Sequence, residues 1–327
     1  MSSIPQIIDP EGLASRFIEE WMSDSPVVCA NTSGSTGVPK RIMLPKADMI
    51  VSATATCRHF GIGPSSVLHL PLSTDYIAGK MMVVRAFVSG ATLIVERPSS
   101  RPLSLLPLGR ENIALTAVVP SQVDGLLESM YADRVRHVIV GGGALSADLE
   151  RRLRECAAMC WATYGMTETC SHVALRNITS GQDTYTALPG IMFETDSRGC
   201  LEINAPGYSF GRLVTNDMVE LLSESEFRWL GRYDNVINSG GIKLHPEEME
   251  KRLEGCVASP FYIVGRPSER WGEEAVIVME NATDSECEAI MECARKAFDR
   301  RSVPKAVINV TRFIYASNGK IKRVLPC

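Results

Sequence analysis

A helix that crosses a membrane needs ~18 successive apolar residues, and this chain has no uncharged run of that length. The opening Met-Ser-Ser-Ile-Pro-Gln carries neither the basic nor the apolar stretch of a secretory signal. Charge of one sign is not in excess either. Lys and Arg number 34 against 38 Asp and Glu, a net charge of −4, too little to draw the chain to nucleic acid or an acidic membrane surface. None of the ten cysteines falls in Cys-x-x-Cys; the nearest pairs are Cys156/Cys160 and Cys287/Cys293, among only five scattered histidines. A zinc site is therefore not expected. Reduced, mostly buried thiols in a cytoplasmic protein are the better reading.

What is present is ordinary for a globular chain: 327 residues, 45% hydrophobic and 22% charged, enough for two or three domains with ample core. Strand-like and helix-like stretches alternate up to about residue 165. Short apolar runs at 27–30, 67–70, 91–96, 115–119, 135–140 and 159–163 read as strands. Between them, 46–60, 78–88, 121–130 and 146–157 read as helices. That alternation predicts a mostly parallel sheet covered by helices. From 186 to 230 short strands at 200–204, 212–215, 218–222 and 227–230 with Gly/Pro turns predict a small antiparallel β subdomain. After Gly231-Arg-Tyr-Asp234 the chain restarts, with a helix near 247–253, strands near 261–264 and 275–279, a helix at 286–298 and a last strand at 307–310. The expected division is residues 1–232, then a small α+β domain of 233–327. The whole is an α/β fold without internal repeats.

The stretch Asn31-Thr-Ser-Gly-Ser-Thr-Gly-Val-Pro-Lys40 has the composition of a loop that grips phosphate. Gly34 and Gly37 let backbone N–H groups come close to a polyphosphate, and Thr32, Ser33, Ser35 and Thr36 add donors without bulk. Lys40 supplies a point charge. The spacing is not that of a Walker loop, where Gly directly precedes the Lys, and a solvated Ser/Gly linker is the alternative.

A second motif, Tyr164-Gly-Met-Thr-Glu168, follows a buried strand and sets a hydroxyl and a carboxylate at a strand end, where α/β sheets bind ligands. Together the two stretches resemble the adenylate-forming superfamily of acyl-CoA synthetases, firefly luciferases and nonribosomal adenylation domains. Gly142-Gly143-Ala144, Thr215-Asn216-Asp217, the run from Gly231 to Glu250, and Asn318-Gly-Lys-Ile321 agree with it in order and spacing. The resemblance implies ATP, Mg²⁺ and coenzyme A as reactants, with a carboxylic acid as substrate. It implies that Thr32–Gly37 and Lys40 hold phosphates, that Gly143 and Ala144 with Tyr164 and Gly165 hold adenine, and that Asp217 and Arg232 hold the ribose. Thr167 and Lys320 would act on the α-phosphate, and Glu168 would hold the metal. Asp234 would be the hinge of a lid domain, with Gly240 and Gly241 facing a thiol tunnel. For the residues taken singly, Tyr164 also reads as a core aromatic, Asp217 as a turn cap, Glu168 as a solvated carboxylate and Lys320 as a solvated surface lysine.

Within the superfamily the chain is most similar to the o-succinylbenzoate–CoA ligases of menaquinone synthesis, on Thr167-Glu-Thr-Cys-Ser-His172 and on Gly79 followed by Arg85. That similarity implies Arg85, Ser171 and His172 as the wall of the acid pocket, Arg85 pairing with a second carboxylate; a structural ion pair is the alternative for Arg85. An adenylating enzyme that loads a carrier protein, and a non-catalytic nucleotide-binding relative, are the rival functions. Three departures stand out, one being the segment 72–79, about two residues longer than in the related ligases. The phosphate loop starts only about thirty residues in, which leaves one pocket wall and a homo-oligomer open. Asn216 replaces the family's Gly, an exchange expected to be tolerable because Asn enters the left-handed region readily.

Overall fold

The computed structural model describes residues 4–31, 41–104, 112–315 and 321–326. Up to residue 165 the elements are β1 (Ile7–Ile8), α1 (Ser15–Met22), β2 (Val27–Asn31), β3 (Arg41–Pro45), α2 (Lys46–Phe60), β4 (Val67–Leu70), α3 (Ile77–Ser89) and β5 (Thr92–Val95). They continue with β6 (Ile113–Val118), α4 (Val123–Leu127), β7 (Val135–Val140), α5 (Ala147–Glu155) and β8 (Met159–Gly165). Strands β1, β5, β4, β6, β7 and β8 lie side by side in that order, all parallel. Strands β9 (His172–Asn177), β10 (Tyr185–Ala187), β11 (Met192–Thr195), β12 (Cys200–Ala205), β13 (Gly211–Ser223) and β14 (Glu226–Arg232) are antiparallel and extend the same sheet in the order β9, β10, β14, β13, β12, β11. The antiparallel region is thus continuous with the parallel one, joined where β8 meets β9.

Strand alternation divides the parallel part into two cores. Leu68, Leu70, Leu93 and Leu115 point to one face, against Met81, Met82 and Val83 of α3 and Met49 and Ala53 of α2. Val67, Ile94, Val138 and Val140 point to the other, against Leu126 of α4 and Leu153 of α5. Burial on both faces is why these strands read as largely apolar runs and not as strict alternation. The helices start and stop where local chemistry dictates. α2 ends on Gly61 (φ 64°) and α3 on Gly90 (φ 73°), left-handed caps that favour glycine. α5 opens on Ser146, whose Oγ accepts from Leu149 N–H at 3.3 Å, with Asp148 and Glu150 in its first turn.

The helix expected over 121–130 is shorter. A 3₁₀ turn covers Pro120–Gln122, and α4 covers five residues. Gln122 explains the turn, because its side-chain Oε1 accepts from Val119 N–H (3.2 Å) while Nε2 donates to the Pro71 and Ser99 carbonyls. Strands read separately at 212–215 and 218–222 are one strand, β13, whose register shifts after Met218. Asn216 is not left-handed in it; the described non-glycine residues at positive φ are Leu103, Cys170 and Asn281.

The remaining elements are β15 (Ile237–Ser239), β16 (Ile242–Leu244), α6 (Pro246–Leu253), β17 (Phe261–Ser268), β18 (Gly272–Glu280), α7 (Asp284–Ala297) and β19 (Val307–Val310). They form a five-stranded sheet with its own core of Ile237, Leu244, Ile263, Ile277, Met249, Leu253 and Ile290. β2 and β3 form a separate antiparallel ribbon that pairs Asn31 with Arg41; β3 had no signal in the sequence reading.

Candidate active site

At the end of β8 the chain turns back sharply. Tyr164 and Gly165 close the strand, Thr167–Thr169 form a 3₁₀ turn, and β9 returns antiparallel. The Thr169 hydroxyl accepts from Met166 N–H at 3.0 Å and reaches the Ser171 carbonyl at 2.7 Å. A Cβ on Gly165 would stand 2.3 Å from Ser171 O and 2.6 Å from His172 Cα, so only glycine fits this reversal. Cys170 takes φ 61°, a conformation that costs a β-carbon residue about 1–3 kcal/mol. The turn leaves Glu168 exposed and Thr167 half-buried. Among the described residues no group of three or more His, Cys, Asp or Glu gathers to hold a metal. Glu168 alone suits Mg²⁺, which takes one or two carboxylates and shares the rest of its shell with water and phosphate oxygens.

Beside this turn, Asp217 of β13 is almost enclosed. Tyr164 donates its phenol proton to Asp217 Oδ2 at 2.8 Å, and Trp229 Nε1–H donates to Oδ1 at 3.3 Å. Arg232, Asp217's register partner on β14, places Nη1 3.5 Å from Oδ1. Burial first, and the Asp217 charge second, push the Tyr164 hydroxyl well above its ordinary pKa, so it stays a donor. The Tyr164 ring packs edge-on against Phe227 (5.0 Å) and Tyr185 (5.8 Å). Next to it, at the end of β7, Gly142, Gly143 and Ala144 are exposed. Gly142 sits at φ 81°, and a Cβ on Gly141 would meet Thr163 Oγ1 at 2.4 Å.

Arg85 of α3 is the largest side chain with less than 2% exposure. Its Nη2 donates to Ser171 Oγ at 2.8 Å and its Nη1 meets Met82 Sδ at 3.4 Å, while Nε is buried with no partner. Among the described residues no carboxylate pairs with it, and burial lowers its pKa to about 10. Ser171 Oγ in turn lies 3.3 Å from His172 Nδ1, and His172 Nε2 lies 3.2 Å from Thr56 Oγ1, which donates to Ser52 O. One orientation satisfies all of these. Arg85 donates to Ser171, Ser171 to Nδ1 of a neutral His172, and His172 Nε2–H to Thr56. Burial, and then the Arg85 charge, hold the His172 pKa well below its ordinary value.

Asp234 is exposed beyond β14 and bonded by Arg232 Nη2 (3.3 Å) and Asn216 Nδ2 (3.4 Å). Gly240 (φ 56°) and Gly241 (φ 82°) make the β15–β16 turn, and Gly240 packs so closely on Trp271 that a Cβ would fall 2.6 Å from its ring. Glu247 of α6 fills the space beside Gly231, and Glu254 accepts from Ala147 N–H at 2.9 Å. Thr32, Ser33, Gly34, Ser35, Thr36, Gly37, Lys40 and Lys320 lie outside the described residues. A cleft of about 780 Å³, not lined by Tyr164 or Arg85, has Asn31, Arg41, Arg16, Glu20 and Lys80 on its walls, and so includes the described residues that flank 32–40.

The structure brings Tyr164, Gly165, Asp217 and Arg232 together, and separately Arg85, Ser171 and His172. Sequence reading missed Trp229 and Thr56. Trp229's signal was its place on the strand preceding Arg232; Thr56, in the middle of a helix 116 residues before His172, had none.

A family model described as AMP-binding enzyme matches residues 9–198, more than half of the chain. The 2-succinylbenzoate–CoA ligase of Salmonella typhimurium is 26% identical over 92% of this chain and 68% of its own length. That of Listeria monocytogenes is 25% identical over 94% of this chain and 71% of its own. The crystal structure of an acyl-CoA synthetase (AMP-forming)/AMP-acid ligase II-like protein from Dyadobacter fermentans is 32% identical, covers 98% of this chain and 94% of its own, and has a TM-score of 0.65. The O-succinylbenzoate Coenzyme A Synthetase of Bacillus subtilis, in complex with ATP and magnesium ion, shares the fold at a TM-score of 0.76 and 21% identity, over 90% of this chain and 68% of its own. With more than half of its length matched, and a relative of nearly the same extent at 32% identity, the chain belongs to the AMP-binding enzyme family.

Proposed function

We propose that this chain is an AMP-forming acid–CoA ligase whose acid carries a second carboxylate, of the o-succinylbenzoate type. The carrying observation is Arg85: a guanidinium at 1% exposure with a buried, unpartnered Nε and no described carboxylate beside it. A buried charge without a counter-ion costs several kcal/mol, and an anionic group on the substrate offsets that cost. Ser171, its hydroxyl turned to His172, would accept from Arg85 and so hold the guanidinium in place for that carboxylate.

The acid's reacting carboxylate attacks the α-phosphorus of Mg·ATP, giving an acyl-adenylate and pyrophosphate. Charge builds on the α-phosphate oxygens, where Thr167 and Lys320 supply preorganised donors and Glu168 holds the metal. Thr32–Gly37 and Lys40 hold the β- and γ-phosphates, Gly143 and Ala144 line the adenine, and Asp217 with Arg232 addresses the ribose. Tyr164 is assigned to position Asp217 as well as to flank the base. Residues 233–327 then turn about Asp234 and carry Gly240 and Gly241 to the coenzyme A thiol, which displaces AMP. ATP–pyrophosphate exchange with a panel of mono- and dicarboxylic acids, followed by AMP release with and without coenzyme A, tests the reading. Exchange only with aryl dicarboxylates and coenzyme A-dependent release support it. Exchange without any use of free coenzyme A would move the acceptor to a carrier protein.

A further inference from the structure

Two thiols outside the site meet where α5 ends and β8 begins. Cys156 caps α5 and Cys160 is the second residue of β8; their Sγ atoms are 3.3 Å apart. A disulfide is about 2.05 Å long, so the sulfurs need close by only a little over an ångström. The two thiols differ in exposure. Cys160 is fully buried, its backbone N–H bonded to Thr179 Oγ1 at 2.8 Å. Cys156 is half-buried and lines a cleft of about 490 Å³ together with Leu127, Asp133, Val138 and Arg152.

We propose that Cys156 and Cys160 form a dithiol modification site, in which Cys156 is oxidised by a small peroxide and Cys160 resolves it to an intramolecular disulfide. The Cys156 thiolate attacks one peroxide oxygen and the O–O bond breaks. Hydroxide leaves and takes up a proton, so Cys156 becomes a sulfenic acid and one water forms. The Cys160 sulfur then attacks the sulfenyl sulfur, a second water leaves, and the S–S bond closes. Two thiols are oxidised and one peroxide is reduced to two waters.

Exposure and polarity set the order of events. The hydrogen bond between the two sulfurs lowers the Cys156 pKa and raises that of Cys160; the accessible sulfur is therefore the better nucleophile at neutral pH. A disulfide here ties the end of α5, the helix after the Gly142–Ala144 turn, to the start of β8, the strand that carries Tyr164 near its far end.

The experiment reduces the full chain, removes the reductant, adds hydrogen peroxide in small excess and maps cysteine pairs by peptide mass spectrometry. The expected product is a Cys156–Cys160 link, formed before any other pair and reversed by dithiothreitol. Cys160→Ser should accumulate a sulfenic acid that dimedone labels at Cys156, and Cys156→Ser should leave Cys160 unlabelled. The proposal is overturned if peroxide links or over-oxidises other cysteines while Cys156 and Cys160 stay reduced in the wild-type chain. It is overturned equally if dimedone fails to label Cys156 in the folded Cys160→Ser variant.

Discussion

Arg85 and Ser171, 86 residues apart in the chain, meet at 2.8 Å with the guanidinium as donor. This contact joins α3 to the turn that leaves the β8 strand end, and so joins the proposed acid pocket to the nucleotide side of the site. Because the Ser171 hydroxyl donates to His172 Nδ1, its oxygen is held facing Arg85. The pair is thus a guanidinium donor held in place by the Ser171 oxygen, which His172 and Thr56 support from behind.

The same relay predicts a pH dependence. His172 is held neutral, its folded pKa below the ordinary ~6.5. A histidine with a depressed folded pKa contributes stability that is complete above about 6.5 and is lost as pH falls below it, by up to ~1.4 kcal/mol per pH unit, until the folded value is reached. His59, His137 and His245 are also lowered by burial and add to the slope. Urea unfolding between neutral and mildly acid pH should show His172→Gln losing stability less steeply than the wild type, by about one proton. Equal slopes would mean that His172 titrates normally and that the relay is not formed.

Tyr164→Phe removes the 2.8 Å donor from the enclosed Asp217 carboxylate. Leaving a buried acceptor short of a partner costs about 1–3 kcal/mol of stability. Under the ribose assignment, ATP affinity should also fall, since Asp217 loses its fixed direction. Calorimetric titration of ATP into the variant checks this. Unchanged ATP binding alongside lowered stability would leave Tyr164 and Asp217 as a core pair only.

Lys320→Ala should lower adenylation by about 10²–10³-fold, the loss expected for one preorganised donor at developing charge, while thioester formation from supplied acyl-adenylate persists. Asp234→Pro should do the reverse, because proline fixes φ near −65° and hinders rotation at the hinge. Measuring the two half-reactions separately decides the matter. Equal damage to both by either variant speaks against a turning lid.

Much of the fold was legible because its signals are local. The runs 67–70 and 135–140 are mostly apolar, broken only by His69 and by Arg136-His137, since both faces of the parallel sheet are covered, and α2 stops where Gly61 supplies a left-handed residue. What escaped depends on distant partners. β9 opens on a histidine and carries Arg176, both buried; they are satisfied by Thr56 on α2 and Glu150 on α5 (2.5 Å), which no window of sequence displays. β13 was divided at Thr215-Asn216-Asp217, whose polarity reads as a turn. In the fold, Arg198 donates to Asn216 Oδ1 and to the Thr215 carbonyl while Tyr164 donates to Asp217, so the strand runs through. The site motifs were visible by order and spacing. Trp229's bond to Asp217 was not, because it follows from the pairing of β13 with β14.

Arg85 carries the central claim, and one comparison tests it most directly: kcat/KM for o-succinylbenzoate against 3-benzoylpropionate, which lacks only the ring carboxylate, in wild type and Arg85→Ala. The wild type should prefer the dicarboxylate by about 10²-fold or more, because the monoacid leaves a buried guanidinium unpaired. In Arg85→Ala that preference should collapse through loss of the dicarboxylate rate, with KM for ATP unchanged. An equal preference in both proteins, or a wild type that favours the monoacid, would contradict the assignment of Arg85 to the substrate.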